Sequence, residues 1–249
     1  AEIKCELVTD HLIELSENEN HHIRSAAILG MGRTQKKPSI EVVVKALEDY
    51  RDEVRKEAAT TLSVYPGENA YEPLVRALKD NNRDVRRAAI SSLLKMGVVS
   101  VNDTLLRTLD DKDWEVRRDS TLALGRLFDS SVVPHLIKVL EDKIKGVQLA
   151  AIESLKKIGD VRAIEPLMEL LIHSDGEIIW AAGTAVASFG EMVPIDELGA
   201  LLGARDVATR SNAILALGAT RKREAVAYLE RALDDPASDV RCAAVEALA

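Results

Sequence analysis

Aromatic residues are scarce in this chain: Phe, Trp and Tyr together make up 3% of 249 residues. Any core must therefore be aliphatic, built from Leu, Ile, Val and Ala. There are two cysteines, Cys5 and Cys242, too few for a disulfide framework or a Cys-based zinc module. No apolar run approaches the ~18–20 residues that cross a bilayer, and the first residues carry no signal-peptide pattern. A cytoplasmic chain without a membrane partner is expected. The net charge of −8 argues against nucleic-acid binding through bulk charge. No Gly-x-Gly-x-x-Gly, phosphate loop or Gly-x-Ser-x-Gly is present. His21 and His22 are adjacent, and adjacent helical residues do not converge on one ligand, so no metal or other cofactor is expected.

What the chain does have is a fixed period. Val-Arg recurs at Val54-Arg55, Val85-Arg86 and Val116-Arg117, 31 residues apart, and again at Val240-Arg241, four further steps along. Stepping by 31 gives the column Ile23, Val54, Val85, Val116, Val147, Ile178, Thr209, Val240. Four residues later stand Ala27, Ala58, Ala89, Ser120, Ala151, Ala182, Ala213, Ala244, and eight later Met31, Leu62, Leu93, Leu124, Leu155, Val186, Leu217, Leu248. Such self-similarity predicts a repeat array. The units are 2–32, 33–63, 64–94, 95–125, 126–156, 157–187, 188–218 and 219–249, read as one domain over 1–249.

Each unit holds two helical patterns. Ile164, Leu167, Met168 and Leu171 form an apolar stripe at helical spacing in the first, and Val85, Ala89, Leu93 and Met96 in the second. Polar turns such as Asp80-Asn81-Asn82 separate them, with Asn82 and Asp113 placed to cap the second helix. Pro73 and Pro166 are expected early in the first helix, and Gly97, Gly159 and Gly190 just past the second. A pair this small cannot bury its own apolar face, so the pairs must stack. The fold class predicted is all-α, an α-solenoid of eight antiparallel helix pairs. The last unit ends in phase without an added polar helix, which leaves Val245 and Leu248 open to truncation or end-to-end self-association as explanations.

The stretches DDKDWEVRRDSTLALG at 110–125, DNNRDVRRAAISSLLKMG at 80–97 and GDVRAIEPLMELL at 159–171 resemble the HEAT repeat, in its short phycobilisome-lyase HEAT-like form. The resemblance covers essentially the whole chain and is specific for fold rather than chemistry. It implies a structural ladder of turn aspartates and Val-Arg arginines: Asp49, Asp80 and Asp111 with Arg55, Arg86 and Arg117. The ladder breaks at Gln148, His173, Ile179 and Ala204, either by drift or because these units were altered for a partner or a bend. Gly183 lies inside a second helix in the same region, where it costs ~1 kcal/mol against Ala.

The resemblance also places the second helices on the concave side. Their outward ridge holds Lys56, Arg83, Arg87, Arg118 and Lys145, extended by Lys95 and Arg126, with Trp114, Leu122, Leu149 and Trp180 beside them. Units two to five carry +2, the first unit −4 and the last three −6. Arg and Trp are enriched in binding hot spots, so this mixed ridge suits a protein or peptide with acidic and hydrophobic anchors. Each of these cations could instead pair with a neighbouring acid such as Glu53, Asp84 or Asp119. The function expected is a non-catalytic interaction scaffold. The alternative, drawn from the family's name, is bilin lyase or bilin handling, with Arg87, Arg118, Trp114 and Trp180 as the pocket. The His-Glu dipeptides of HEAT-like diiron hydroxylases are absent.

Overall fold

The structure, a computed structural model, describes residues 2–34, 37–65, 67–97 and 101–249. The side chain of Cys5 lies outside the described residues. Among these residues there are sixteen α-helices and no strand. First and second helices alternate: α1 Glu2–Leu15, α2 His21–Thr34, α3 Lys37–Lys45, α4 Asp52–Thr61, α5 Glu68–Ala77, α6 Arg83–Met96, α7 Val101–Leu106 and α8 Trp114–Arg126. There follow α9 Val133–Val139, α10 Lys145–Ile158, α11 Ile164–Glu169, α12 Gly176–Ala187, α13 Ile195–Leu201, α14 Val207–Ala219, α15 Val226–Ala232 and α16 Ser238–Leu248. The second helices begin at 21, 52, 83, 114, 145, 176, 207 and 238, a step of 31 throughout.

The chain divides into two compact units, Ala1–Ala123 and Leu124–Ala249. In the first, α2 packs on α4 and α4 on α6. In the second, α10, α12, α14 and α16 pack in succession, each against its own first helix as well. The columns at the first, fifth and ninth positions of the second helices form the cores. Val54, Val85, Val116, Val147 and Val240 are buried, as are the small residues from Ala27 to Ala244, which let neighbouring helices approach. Ile23 and Leu248, in the first and last pairs, are the exposed exceptions. Two polar members of these columns are satisfied internally: Ser120 Oγ donates to Val116 O at 2.8 Å, and Thr209 Oγ1 donates to Leu171 O at 2.7 Å. Pro73 departs from expectation. Helix α5 begins at Glu68, so the proline sits in its interior rather than its first turn, and one helical N–H is forgone there.

Side-chain ion pairs tie consecutive pairs together at the turns. Arg24 grips Asp49 through Nε and a terminal nitrogen at 2.7 and 2.8 Å. Arg55 holds Asp80 likewise at 2.7 and 2.9 Å, Arg86 holds Asp111 at 2.8 and 2.7 Å, and Arg210 holds Asp235 at 2.7 and 2.9 Å. The remaining nitrogen of each arginine turns back to its own loop, as from Arg86 to Asp80 O at 2.8 Å and from Arg117 to Asp111 O at 2.9 Å. Each aspartate also accepts the N–H two residues on, as Asp80 does from Asn82 at 2.8 Å. Burial opposes ionisation of Asp80, but hydrogen bonds from Arg55 and Asn82 outweigh it and hold the carboxyl below the usual range.

Arginine and aspartate are 25 residues apart in every rung, and this offset explains the breaks. It sets Gln148 against His173 and Ile179 against Ala204, so the four departures are two paired replacements. Removing both ends of a buried ion pair avoids stranding a charge. Gln148 Nε2 donates instead to Leu140 O at 3.0 Å, and Ile179 is buried. His173 keeps half the aspartate's role, its Nδ1 accepting the Asp175 N–H at 3.0 Å.

Gly183 also has a packing cause. A Cβ there would lie 2.6 Å from Asn212 Cβ, and Asn212 is buried with its Nδ2 donating to Ala208 O at 2.9 Å. Gly183→Ala is therefore expected to lower the unfolding midpoint, despite the helix propensity of alanine, by about 1–3 kcal/mol of overpacking. Adding Asn212→Gly, which removes the Cβ as well, should recover part of the loss, and chemical denaturation of the single and double variants checks both.

Candidate functional site

The outward ridge of the second helices appears in both units, but its chemistry differs between them. In the first unit the arginines are already neutralised. Arg83 binds Glu115 at 2.8 Å, reaching from α6 to α8. Arg87 Nε donates to Asp119 at 2.6 Å and a terminal nitrogen lies 3.6 Å from Asp84. Arg118 makes two hydrogen bonds to the same Asp119, at 3.0 and 2.8 Å. The hydrogen bond that Arg87 donates to Asp119 is the main cause holding its guanidinium above the ordinary pKa. Lys56 and Lys95 lack any acidic partner among the described residues, and both are exposed. They flank a groove of about 370 Å³ with Thr60, Arg87 and Ser91.

Trp114 opens α8 at 37% exposure, and the Arg118 guanidinium carbon lies 5.2 Å from its ring centroid. The indole thus has one face covered by a cation that Asp119 holds in place. Leu122, two turns further along α8, is half-buried.

In the second unit the ridge is largely apolar. Lys145 Nζ is tied to Glu177 at 2.8 Å and to Asp175 at 3.3 Å, joining the starts of α10 and α12, and these bonds raise its pKa. Leu149 is half-buried. Trp180 is 63% exposed on α12, and Gly176 one turn before it leaves open space where another residue would have a side chain. Cys242, on the same ridge in α16, is a free, exposed thiol.

Among the described residues no group of three or more His, Cys, Asp and Glu side chains is placed to hold a metal ion. The His21 and His22 rings instead stack on each other, 4.0 Å between centroids. No helix among these residues is long and apolar enough to cross a membrane. The ridge offers cations, carboxylates and indoles.

One feature escaped the sequence reading. Among the described residues, the position just past the second helices is left-handed not only at Gly97, Gly159 and Gly190, with φ of 63°, 70° and 54°, but also at Phe128 and Arg221, both with φ of 53°. The signal was available: 128 and 221 lie on the same 31-residue step as the glycines.

A family model for HEAT repeats matches residues 9–95, 102–187 and 170–249. None of the curated proteins matches the chain by sequence. Among solved structures, Escherichia coli YibA aligns with a TM-score of 0.63 at 18% identity, over 98% of this chain and 94% of its own. The CpcE and CpcF complex of phycocyanin lyase from a Nostoc species aligns with a TM-score of 0.52 at 19% identity, over 96% and 93%. An engineered protein aligns with a TM-score of 0.55 at 21% identity, over 97% and 77%. These likenesses show the fold alone.

Proposed function

The chain belongs to the HEAT repeat family, and on that footing we propose that it is a non-catalytic scaffold that binds a protein or peptide along the ridge of its second helices. One observation carries the reading. The chain has two tryptophans, both stand on this ridge, and they are 37% and 63% exposed. Fold stability gains little from the Trp180 indole, left mostly in water, whereas binding hot spots are enriched in Trp. In the first unit Lys56 and Lys95 would receive the partner's acidic groups, since Arg83, Arg87 and Arg118 are already occupied. In the second unit Trp180 and Leu149 would receive its apolar anchors. That the lyase relative is a complex of two chains fits such a role, and residues 1–249 would act as one domain.

Bilin handling is less well supported. It calls for cations free to meet propionates beside an aromatic wall, and Arg87 and Arg118 share Asp119 instead.

Affinity capture from the native host, followed by titration of the purified partner, tests the scaffold reading. Trp180→Ala is expected to weaken that partner by 2 kcal/mol or about 30-fold, within the range of hot spots. Lys56→Glu with Lys95→Glu should weaken it with a salt-dependent loss. Unchanged affinity in both variants would sink the proposal.

A further inference from the structure

Phe128 is held where the backbone favours glycine, and its ring is 68% exposed. Helix termination does not call for a phenylalanine there, since Gly97, Gly159, Gly190 and Arg221 hold the equivalent left-handed position without one. Retained strain of this kind points to a use for the side chain. Its surroundings lie on the same rim of the second unit. Arg162 donates to Ser130 O at 2.6 Å, which sets the loop after Phe128 against the turn carrying Val161. Val161 is 55% exposed and Met192, one repeat further along, 54%. At the glycine equivalent to Phe128 the rim is hollow: Gly159, Lys156, Ser188, Phe189 and Met192 line a groove of about 420 Å³. A cavity near 150 Å³ already accepts benzene, so a phenyl ring has ample room.

We infer that this rim is a self-complementary surface on which two copies of the chain associate, the Phe128 ring of each entering the groove at Gly159 and Met192 of the other. Knob and hollow are spaced along one rim, so a two-fold rotation satisfies both at once and brings the two Val161 side chains together near the axis. The charges agree. Arg126 and Asp129 flank the knob, Lys156 and Glu191 flank the hollow, and among the described residues Arg126, Lys156 and Glu191 have no ion-pair partner. In the antiparallel arrangement Arg126 meets Glu191 of the other copy, and Lys156 meets Asp129. The contact is small, so the dimer is expected to be weak, with a Kd on the order of micromolar. It shares Arg126 with the extension of the second-helix ridge, but it does not depend on the scaffold reading.

Sedimentation velocity of the purified chain from about 1 to 500 µM tests this, the range spanning the weak affinity expected of a small interface. The wild type should shift from monomer to dimer. Phe128→Gly should stay monomeric throughout and melt about 2–4 °C higher, because the left-handed position is relieved. Met192→Glu should also stay monomeric, with Phe128 intact. Arg126→Glu should weaken the dimer, and adding Glu191→Arg should restore it. A wild type that is monomeric at the highest concentration overturns the inference, as does a dimer that Phe128→Gly and Met192→Glu leave unchanged.

Discussion

Arg86→Ala is expected to destabilise the chain by about 3–5 kcal/mol, the cost of leaving a buried charge without its counter-ion. The residue is 3% exposed, and its guanidinium binds both oxygens of Asp111, Asp113 at 2.6 Å and the carbonyls of Asp80 and Asn81. Truncation leaves two half-buried carboxylates and two carbonyls of one rung without their shared donor. The double replacement Arg86→Ile with Asp111→Ala copies the Ile179 and Ala204 pair that the second unit already carries, and should recover most of the loss. Denaturant midpoints followed by helical circular dichroism separate the two. Equal losses in both variants would mean that the rung acts through something other than its charge pair.

Acid acts on the same rungs. Burial opposes the ionised form of Asp49 and Asp80, yet the arginine hydrogen bonds keep both carboxyls below the usual range, and Asp235 is held down first by Arg210. A depressed carboxyl contributes its full stability above the unfolded value near 3.9 and loses it as pH falls through the folded value. The wild type should therefore weaken progressively below about pH 4. Asp160, half-buried, is held down to about 2 by its hydrogen bonds from Arg162, but it adds little to this because that arginine is exposed and solvent screens the pair.

Gly125→Leu is expected to cost about 3 kcal/mol, the upper end of ordinary overpacking. A Cβ at Gly125 would sit 2.8 Å from the Cα of Ser154, so helix α10 itself must move. Adding Ser154→Gly should return only part of the loss, because the Cα remains. Full recovery would show that the side chain alone was the obstacle. The same step of 31 carries Leu94 and Lys156, so nothing at position 125 taken alone announces the constraint. The facing column does announce it, being small throughout: Gly30, Thr61, Ser92, Ala123, Ser154, Ala185, Ala216, Ala247.

The periodicity by itself determined the helix count, the phase of 31 and the buried columns, because each of these follows from apolar spacing along one local helix. Val85, Ala89 and Leu93 needed no knowledge of their neighbours to be placed inside. Relations between pairs were decided by tertiary structure alone. The 25-residue offset that turns four apparent breaks into two matched replacements, the need for glycine opposite Asn212, and the neutralisation of Arg83 by Glu115 and of Arg87 by Asp119 are all contacts between different helices. A one-dimensional pattern records which face a residue occupies. Which neighbour it meets on that face depends on how far one helix is displaced along the next, and that displacement is set by packing.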